Sequence, residues 1–168
     1  MGYIVIQTDF GGGTSGSMTG MCMLVDPSLQ VFDLTHQVPK FDVKKAGENL
    51  AEVIPLWPEG TVFVSVVDPG VGTPRKASAA KLSNGCYVVT PDNGILQVLD
   101  DSIGIAEVRE IDQRINRYKG NPWSDKSDIF HGRDVFAYCG ARLASGVISY
   151  EETGPRYDIS EIVRIYSA

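Results

Sequence analysis

Three side chains suited to proton transfer and ion pairing stand out in this sequence: Asp68, Arg75 and His131. Asp68 follows a β-branched run and opens the segment DPGVG, whose proline and glycines hold the carboxylate at a predicted strand end. A carboxylate in this position can accept a proton from water or orient the water molecule. Arg75 can fold back onto it, and an ion pair that merely closes the loop is the simpler interpretation of these two residues alone.

His131 lies in the segment FHGRD, where a predicted helix begins. Histidine titrates near neutral pH and therefore suits proton transfer. The glycine that follows, Gly132, leaves room for a substrate to approach the backbone. A histidine that caps the helix or is satisfied in the core is an equally open alternative. The other histidine, His36, follows a predicted strand without an evident partner, and we interpret it as structural.

A glycine-rich loop follows the first predicted strand, with Gly11, Gly13 and Gly16 in the spacing GxGxxG. Together with Asp33, about 20 residues further on, this spacing matches a dinucleotide-binding fingerprint. However, Asp9 places a carboxylate where phosphates would pass, and the helix that follows is short. A flexible glycine loop is therefore the favoured interpretation, and a dinucleotide site stays an alternative that titration with NAD tests.

Composition restricts the class of protein. A chain of 168 residues, 43% of them hydrophobic, can bury the core of one domain without disulfides. The formal charge of −6 excludes a strongly basic nucleic-acid surface. No cysteine pair has the close spacing of a zinc or redox motif, so we predict reduced thiols and no metal. The longest apolar run is too short to cross a bilayer and the N-terminus does not resemble a signal peptide. We expect a cytoplasmic protein without membrane or nucleic-acid partners.

Strand and helix patterns alternate along the chain. We predict strands at residues 3–8, 29–34, 61–67, 77–82, 86–90 and 106–111, and helices at residues 18–25, 43–56, 94–99 and 132–146. Asp42 should cap the second helix, residues 116–128 should form a polar loop, and the tail after Ser149 is polar. This alternation predicts an α/β fold, a three-layer sandwich around a largely parallel sheet. Ligands of such sheets bind beyond the carboxyl ends of the strands, where Asp9 and Asp68 lie.

Seven short segments occur in a specific order along the chain: Thr8-Asp9-Phe10-Gly11, Asp33-Leu34-Thr35-His36, Pro39-x-Phe41-Asp42, Gly60-Thr61-Val62-Phe63, Val67-Asp68-Pro69-Gly70-Val71-Gly72-Thr73-x-Arg75, Pro91-Asp92-Asn93-Gly94 and Phe130-His131-Gly132-Arg133-Asp134. This series closely resembles the adenosine-forming S-adenosyl-L-methionine (SAM) hydrolases, also called SAM hydroxide adenosyltransferases. They are relatives of the fluorinating and chlorinating SAM enzymes. The resemblance extends from residue 3 to residue 154, nearly the whole chain.

The resemblance implies a reaction and a set of site residues. In the family, water attacks the 5′ carbon of the adenosyl group and methionine leaves, without a cofactor. The family's catalytic Asp, Arg and His match Asp68, Arg75 and His131. Because the halogenating relatives do not retain this set, hydroxide is favoured over halide as the nucleophile. The resemblance implies substrate-binding positions in the same way. Asp9 should hold the ribose hydroxyls, and the nucleoside pocket should be lined by Phe41, Asn93 and Phe130. Phe10 and Gly132 are further implied substrate-binding residues.

The chain also departs from the family pattern. Residues 13–16 read GTSG where family members carry an acidic residue near the methionine amino group. The family's second domain, a C-terminal β-barrel, completes the adenine site of a neighbouring subunit in a homotrimer. We expect residues 1–155 to be the N-terminal catalytic domain without that barrel, and residues 156–168 to be an extension or the start of the second domain. A non-catalytic SAM- or nucleoside-binding module and a halogenating enzyme stay open as alternatives.

Overall fold

A computed structural model describes residues 2–120 and 130–167 of the chain. The strands in these residues are β1 (Tyr3–Thr8), β2 (Gln30–Thr35), β3 (Val62–Val66), β4 (Ala77–Leu82), β5 (Tyr87–Pro91), β6 (Ile105–Glu110) and β7 (Arg156–Tyr157). The α-helices are α1 (Ser15–Val25), α2 (Val43–Val53), α3 (Ile95–Ser102) and α4 (Tyr138–Ser145). Every predicted strand and helix is present. The predicted loop at residues 116–128 lies outside the described residues from 121 onward.

The strands of the described residues form one sheet in the order β2-β1-β3-β5-β4-β6-β7. The four strands β2, β1, β3 and β5 are parallel, with Ile6 of β1 paired to Asp33 on one side and Val64 on the other. The remaining pairings, of β5 with β4, β4 with β6 and β6 with β7, are antiparallel. The α/β fold is confirmed, and the sheet is parallel where β1, β3 and β5 send their carboxyl ends to one edge.

Helices cover both faces of this sheet, because successive strand residues point to opposite sides. Ile4 and Ile6 of β1 pack with α1 and α4 on one face, whereas Val5 packs with α2 and α3 on the other. All five residues of β3 are buried, as its continuous apolar run predicted for a central strand. The two apolar layers lie between the sheet and the helices that cover its faces. Helices, sheet and helices together form the three-layer sandwich, which holds the strand ends rigidly.

Several helix boundaries differ from the prediction; α1 begins at Ser15 rather than at residue 18, and α3 ends at Ser102 rather than at residue 99. Asp42 caps α2 as predicted, its Oδ1 accepting from the Lys45 amide at 3.0 Å. This α-helix ends at Val53 rather than at residue 56, and a 3₁₀ turn containing Pro55 follows, because proline has no amide hydrogen to continue the ladder. The predicted helix at residues 132–146 begins as a π-helix, Gly132–Ala137, before α4. It ends at Gly146, which has a φ of 77°.

The C-terminal tail, for which the sequence analysis named no element, contributes to the sheet. It adds the short strand β7 to the edge of the sheet, and a 3₁₀ turn, Ile159–Glu161, follows with Asp158 as its cap. Further on, Ile162 is only 3% exposed. Within residues 2–120 and 130–167, no helix has the length and apolarity required to cross a lipid bilayer.

Candidate active site

A cavity of about 540 Å³ opens at the sheet edge where β1 and β3 end. The residues that line this site cavity are Asp9, Phe10, Gly13, Thr14, Ser17, Lys40, Phe41, Val66, Asp68, Val71, Phe130, Gly132 and Arg133. Asp9 directly follows β1, and Asp68 lies two residues beyond β3. The parallel pairing of the two strands therefore brings these carboxylates to one cavity, as the sequence predicted.

Asp68 and Arg75 form a buried ion pair. The side chains are only 6% and 9% exposed, respectively. Arg75 Nε donates to the Asp68 Oδ1 and Oδ2 atoms at 3.1 and 3.2 Å, and Arg75 Nη2 also donates to Oδ2. The guanidinium carbon stands over the Phe136 ring, 5.4 Å from its centre, in a cation–π contact. Arg75 therefore holds the carboxylate in one orientation on the cavity wall.

His131 is 6% exposed and contacts Arg75 at Nη2, the nitrogen that also donates to Asp68. Its Nδ1 is 3.3 Å from Arg75 Nη2. Because a guanidinium can only donate hydrogen bonds, His131 Nδ1 must be the acceptor in this contact. The proton of the neutral imidazole is then carried by Nε2. Asp68, Arg75 and His131 thus form one connected cluster, of which Asp68 alone lines the site cavity.

Asp9 and Phe41 are joined across the mouth of the site cavity. The Phe41 amide donates to Asp9 Oδ2 at 2.8 Å. Phe41 is the one described non-glycine residue with a positive φ, 63°, a conformation that costs a residue with a side chain about 1–3 kcal/mol. The hydrogen bond to Asp9 offsets part of this cost. The result is an aromatic ring, 53% exposed, at the cavity rim.

Two more phenylalanines complete an apolar wall. Phe10 and Phe130 line the site cavity on either side of Gly132. A Cβ atom at Gly132 would lie 2.8 Å from Phe10 Cζ, so the missing side chain is what allows this ring to pack against the backbone. The structure therefore brings together five of the predicted substrate-binding residues: Asp9, Phe10, Phe41, Phe130 and Gly132.

Asn93, the remaining predicted substrate-binding residue, does not line this cavity. Its side-chain amide donates to the carbonyl oxygen of Val67 at 2.9 Å. The neighbouring Asp92 is 1% exposed, and burial raises the pKa of its carboxyl group. Asn93 thus bonds the backbone that leads to Asp68. Its role in nucleoside binding stays a prediction.

Sequence reasoning missed two cations at the cavity. Lys40 Nζ stands 5.1 Å from the centre of the Phe41 ring, and Arg133 Cζ stands 4.4 Å from that of Phe130. Arg133 is held by the buried Asp134 at 2.7 Å, and these hydrogen bonds raise the pKa of its guanidinium group. Lys40 directly precedes Phe41, and Arg133 follows Phe130 by three residues. Their proximity in sequence to a predicted phenylalanine is the signal that could have identified them.

The glycine-rich loop forms the rim beside α1. Gly13 lines the site cavity, and the first turn of α1 contains no acidic residue. The hydroxyls of Ser15 and Ser17 donate to carbonyls of their own turn at 2.7 Å. In residues 2–120 and 130–167, no group of three or more histidine, cysteine or acidic side chains is arranged to hold a metal ion.

Comparisons with known proteins, by sequence and by structure, bear on the family of this chain. Residues 4–154 match the family described as "SAM hydroxide adenosyltransferase N-terminal domain". The chain is 38% identical to an (R)-S-adenosyl-L-methionine hydrolase of Salinispora tropica, an alignment covering 97% of this chain and 60% of that protein. It is 39% identical to a protein of the same name from Thermus thermophilus, covering 83% and 54% of the two chains. A fluorinase of an Actinoplanes species is more distant, at 24% identity over 86% of this chain and 54% of that protein.

Solved structures give the same relationship. The crystal structure of an uncharacterized conserved protein from Thermotoga maritima superposes with a TM-score of 0.87 at 40% identity, covering 98% of this chain and 62% of that one. A conserved hypothetical protein from Thermus thermophilus has a TM-score of 0.77 at 30% identity, covering 98% and 62% of the two chains. The chain therefore spans about 60% of the length of these relatives. In sequence and in fold, it belongs to the SAM hydroxide adenosyltransferase family, through that family's N-terminal domain.

Proposed function

We propose that this chain hydrolyses SAM to adenosine and L-methionine. The observation that carries the proposal is the carboxylate of Asp68, placed on the wall of the site cavity and oriented by the buried Arg75. The names of the relatives specify the (R) epimer at sulfur, and we propose that epimer as the preferred substrate. The reaction needs no cofactor, because a sulfonium already carries a good leaving group.

The proposed step balances as follows. The oxygen of water forms a bond to the 5′ carbon while the bond from that carbon to sulfur breaks, and its electron pair neutralises the sulfonium. Methionine leaves as a neutral thioether, adenosine carries the solvent oxygen, and one proton is released. The leaving group requires no acid, so the catalytic task is to orient a weak nucleophile and take its proton.

Asp68 is the group that we assign to this task. Its carboxylate reaches the cavity, whereas the guanidinium of Arg75 can only donate hydrogen bonds. The Nδ1 lone pair of His131 is directed to Arg75 in this arrangement. We therefore assign His131 the role of orienting Arg75. When its contact with Arg75 opens, His131 Nδ1 can also take up the proton that Asp68 has accepted from water. A positioned base of this kind contributes about 10²–10⁴-fold in rate.

The walls of the site cavity suit the rest of the substrate. Its volume of about 540 Å³ lies within the usual range for small-molecule sites. We assign the ribose hydroxyls to Asp9, and the base and the sulfonium charge to the Phe41 and Phe130 rings, all three of which line the cavity.

The test is chromatography of the purified chain with each SAM epimer in water labelled with heavy oxygen. We expect labelled adenosine and unlabelled methionine, faster from the (R) epimer. Asp68→Asn should reduce the rate about 10²–10⁴-fold. The matched control is Asp112→Asn, which alters a carboxylate paired to an exposed arginine, Arg114, outside the site.

Three outcomes would contradict the proposal in different ways. Adenosine formation at the spontaneous rate, together with calorimetric binding of SAM that Asp68→Ala leaves unaltered, would indicate a binding module. A 5′-halo-adenosine that forms only with added chloride or fluoride would indicate a halogenating enzyme. Labelled homoserine with 5′-methylthioadenosine, in place of labelled adenosine and methionine, would place the attack at the γ carbon of the methionine moiety. The homotrimer implied by the resemblance is a separate proposal, which light scattering in solution tests.

A further inference from the structure

We propose that Asp92 and Asn93 are positioning residues that hold both ends of the Asp68 loop (residues 68–75), and that the chain segment containing β7 fastens them in place. The inference rests on the proposed function for its effect on catalysis. Its structural part concerns the spacing of Asp68 and Arg75, which stand at the two ends of that loop. Neither Asp92 nor Asn93 lines the site cavity, so both act through other residues.

Apart from the ion pair between Asp68 and Arg75 and the bonds of Thr73 to Gly70, the Asp68 loop has few internal contacts to set its shape. Its sequence is DPGVGTPR, with two glycines and two prolines. Inside it, the Val71 amide donates to the Asp68 carbonyl at 3.4 Å and the Thr73 amide to the Gly70 carbonyl at 2.9 Å. Val71, Gly72 and Thr73 are exposed. A loop of this composition loses much conformational entropy when it is ordered, so contacts at its ends must hold it.

Asn93 holds the first end. Its side-chain amide donates to the carbonyl of Val67, the residue immediately before Asp68, at 2.9 Å. Because a carbonyl can only accept, the amide nitrogen must be the atom that faces it. This contact joins the ends of β3 and β5 beyond their ladder, and it sets where the backbone leaves the sheet towards the catalytic carboxylate.

Asp92 holds the second end. Its backbone amide donates to the carbonyl of Lys76, the residue immediately after Arg75, at 2.9 Å. Two consecutive residues of one turn therefore bond the residues that flank the loop on either side. A shift of this turn would change the distance between the catalytic carboxylate and the arginine that orients it.

The segment containing β7 fastens this turn through Tyr157 and Val163. The Tyr157 hydroxyl donates to Asp92 Oδ2 at 3.0 Å, and the Val163 amide donates to Asp92 Oδ1 at 3.0 Å. Ser78 Oγ lies 2.7 Å from the same hydroxyl, and Lys76 Nζ stands 5.1 Å from the centre of the Tyr157 ring. A buried carboxylate whose two oxygens both accept hydrogen bonds is held rigidly. These bonds from Tyr157 and Val163 also hold the segment containing the two-residue strand β7 against the sheet.

The experiment compares Asn93→Ala, Asn93→Asp and Tyr157→Phe with the wild-type chain. The matched controls are Asn84→Ala and Asn84→Asp, at an exposed hairpin turn remote from the site. We measure kcat and KM for SAM, adenosine binding by calorimetry, and deuterium uptake of the peptide covering residues 68–76. Using both Asn93 variants separates loss of the hydrogen bond from the added charge of aspartate.

We expect kcat to fall about 10- to 100-fold in both Asn93 variants, because a small misplacement of catalytic groups is costly. KM and adenosine affinity should change less than about threefold, since the cavity walls are untouched. Uptake in residues 68–76 should accelerate about tenfold or more. Tyr157→Phe should give smaller changes of the same pattern, and the Asn84 controls none.

Unaltered uptake in residues 68–76 in both Asn93 variants would overturn the inference, whatever the activity. A parallel fall of kcat and of adenosine affinity would overturn it as well, since that indicates general loss of structure. If the wild-type chain does not hydrolyse SAM, the proposed function fails while the uptake data still decide whether Asp92 and Asn93 hold the loop. Tyr157→Phe retains the aromatic ring and serves if an Asn93 variant does not fold.

Discussion

Replacing Arg75 by methionine tests the central ion pair of the site. Asp68 and Arg75 are 6% and 9% exposed, so both charges are largely removed from bulk water. Removing one partner of a buried pair costs about 3–5 kcal/mol, because the remaining charge is left uncompensated. Methionine keeps apolar contact with the Phe136 ring, so little packing is lost. Asp68 borders the cavity, where water can enter, and we therefore expect the lower end, about 3 kcal/mol.

For a chain of this length, 1 kcal/mol shifts the unfolding midpoint by about 2–4 °C, so Arg75→Met should lower it by about 6–12 °C. The assay is thermal unfolding followed by circular dichroism at pH 7, with urea titration for the free energy. The double variant Asp68→Asn with Arg75→Met should recover most of the loss, because the orphaned carboxylate is gone. The control is Arg114→Met, which breaks an exposed pair and should leave the midpoint unaltered.

The prediction fails if Arg75→Met unfolds at the same temperature as Arg114→Met. It also fails if the double variant is no more stable than Arg75→Met, because the loss then comes from packing rather than from an uncompensated charge. Adenosine formation should be lost in both the single and the double variant. Stability and activity are thus expected to separate in the double variant, which is stable but inactive.

Three further outcomes follow from local geometry. Gly132→Ala should reduce kcat/KM for SAM about tenfold, since a Cβ 2.8 Å from Phe10 Cζ pushes that ring into the cavity; an unaltered value would show that the ring moves freely. Asp42→Ala should lower the free energy of unfolding by about 1 kcal/mol through the lost cap on the Lys45 amide, and an unaltered urea midpoint would contradict this. A thiol reagent at pH 8 should label the native chain negligibly and the denatured chain at three sites. Burial raises the pKa of the Cys22 and Cys139 thiols to about 12 and also raises the pKa of the Cys86 thiol. Rapid labelling of the native chain would disprove this prediction. The three thiols are Cys22, Cys86 and Cys139.

Much of the fold could be predicted because the local signals were strong. The β-branched run that contains β3 and the cap at Asp42 each act within a few residues, and both elements formed at the expected places. The same is true of Gly146, whose positive φ ends α4. Asp9 and Asp68 could be assigned to one edge because parallel strands place their carboxyl ends together. In these cases the deciding interaction lies within one element or between neighbouring strands.

The features that the sequence did not reveal have a different origin. β7 is two residues long, and its Tyr157 bonds Asp92, a residue 65 positions away in sequence. No periodicity in the tail can reveal that contact. Lys40 and Arg133 were overlooked for a similar reason, since their chemistry arises from the aromatic rings beside which they are held.

The ordered series of segments along the chain is enough to indicate a carboxylate, an arginine and a histidine as the groups of the proposed hydrolysis. The folded structure adds their relative placement. It shows Asp68 on the cavity, Arg75 behind it and His131 Nδ1 directed to the guanidinium. It also shows that Asn93 bonds Val67 rather than facing the cavity. The physical reason is that spacing along a chain limits which groups can meet, whereas burial and hydrogen-bond direction are set by packing from distant segments.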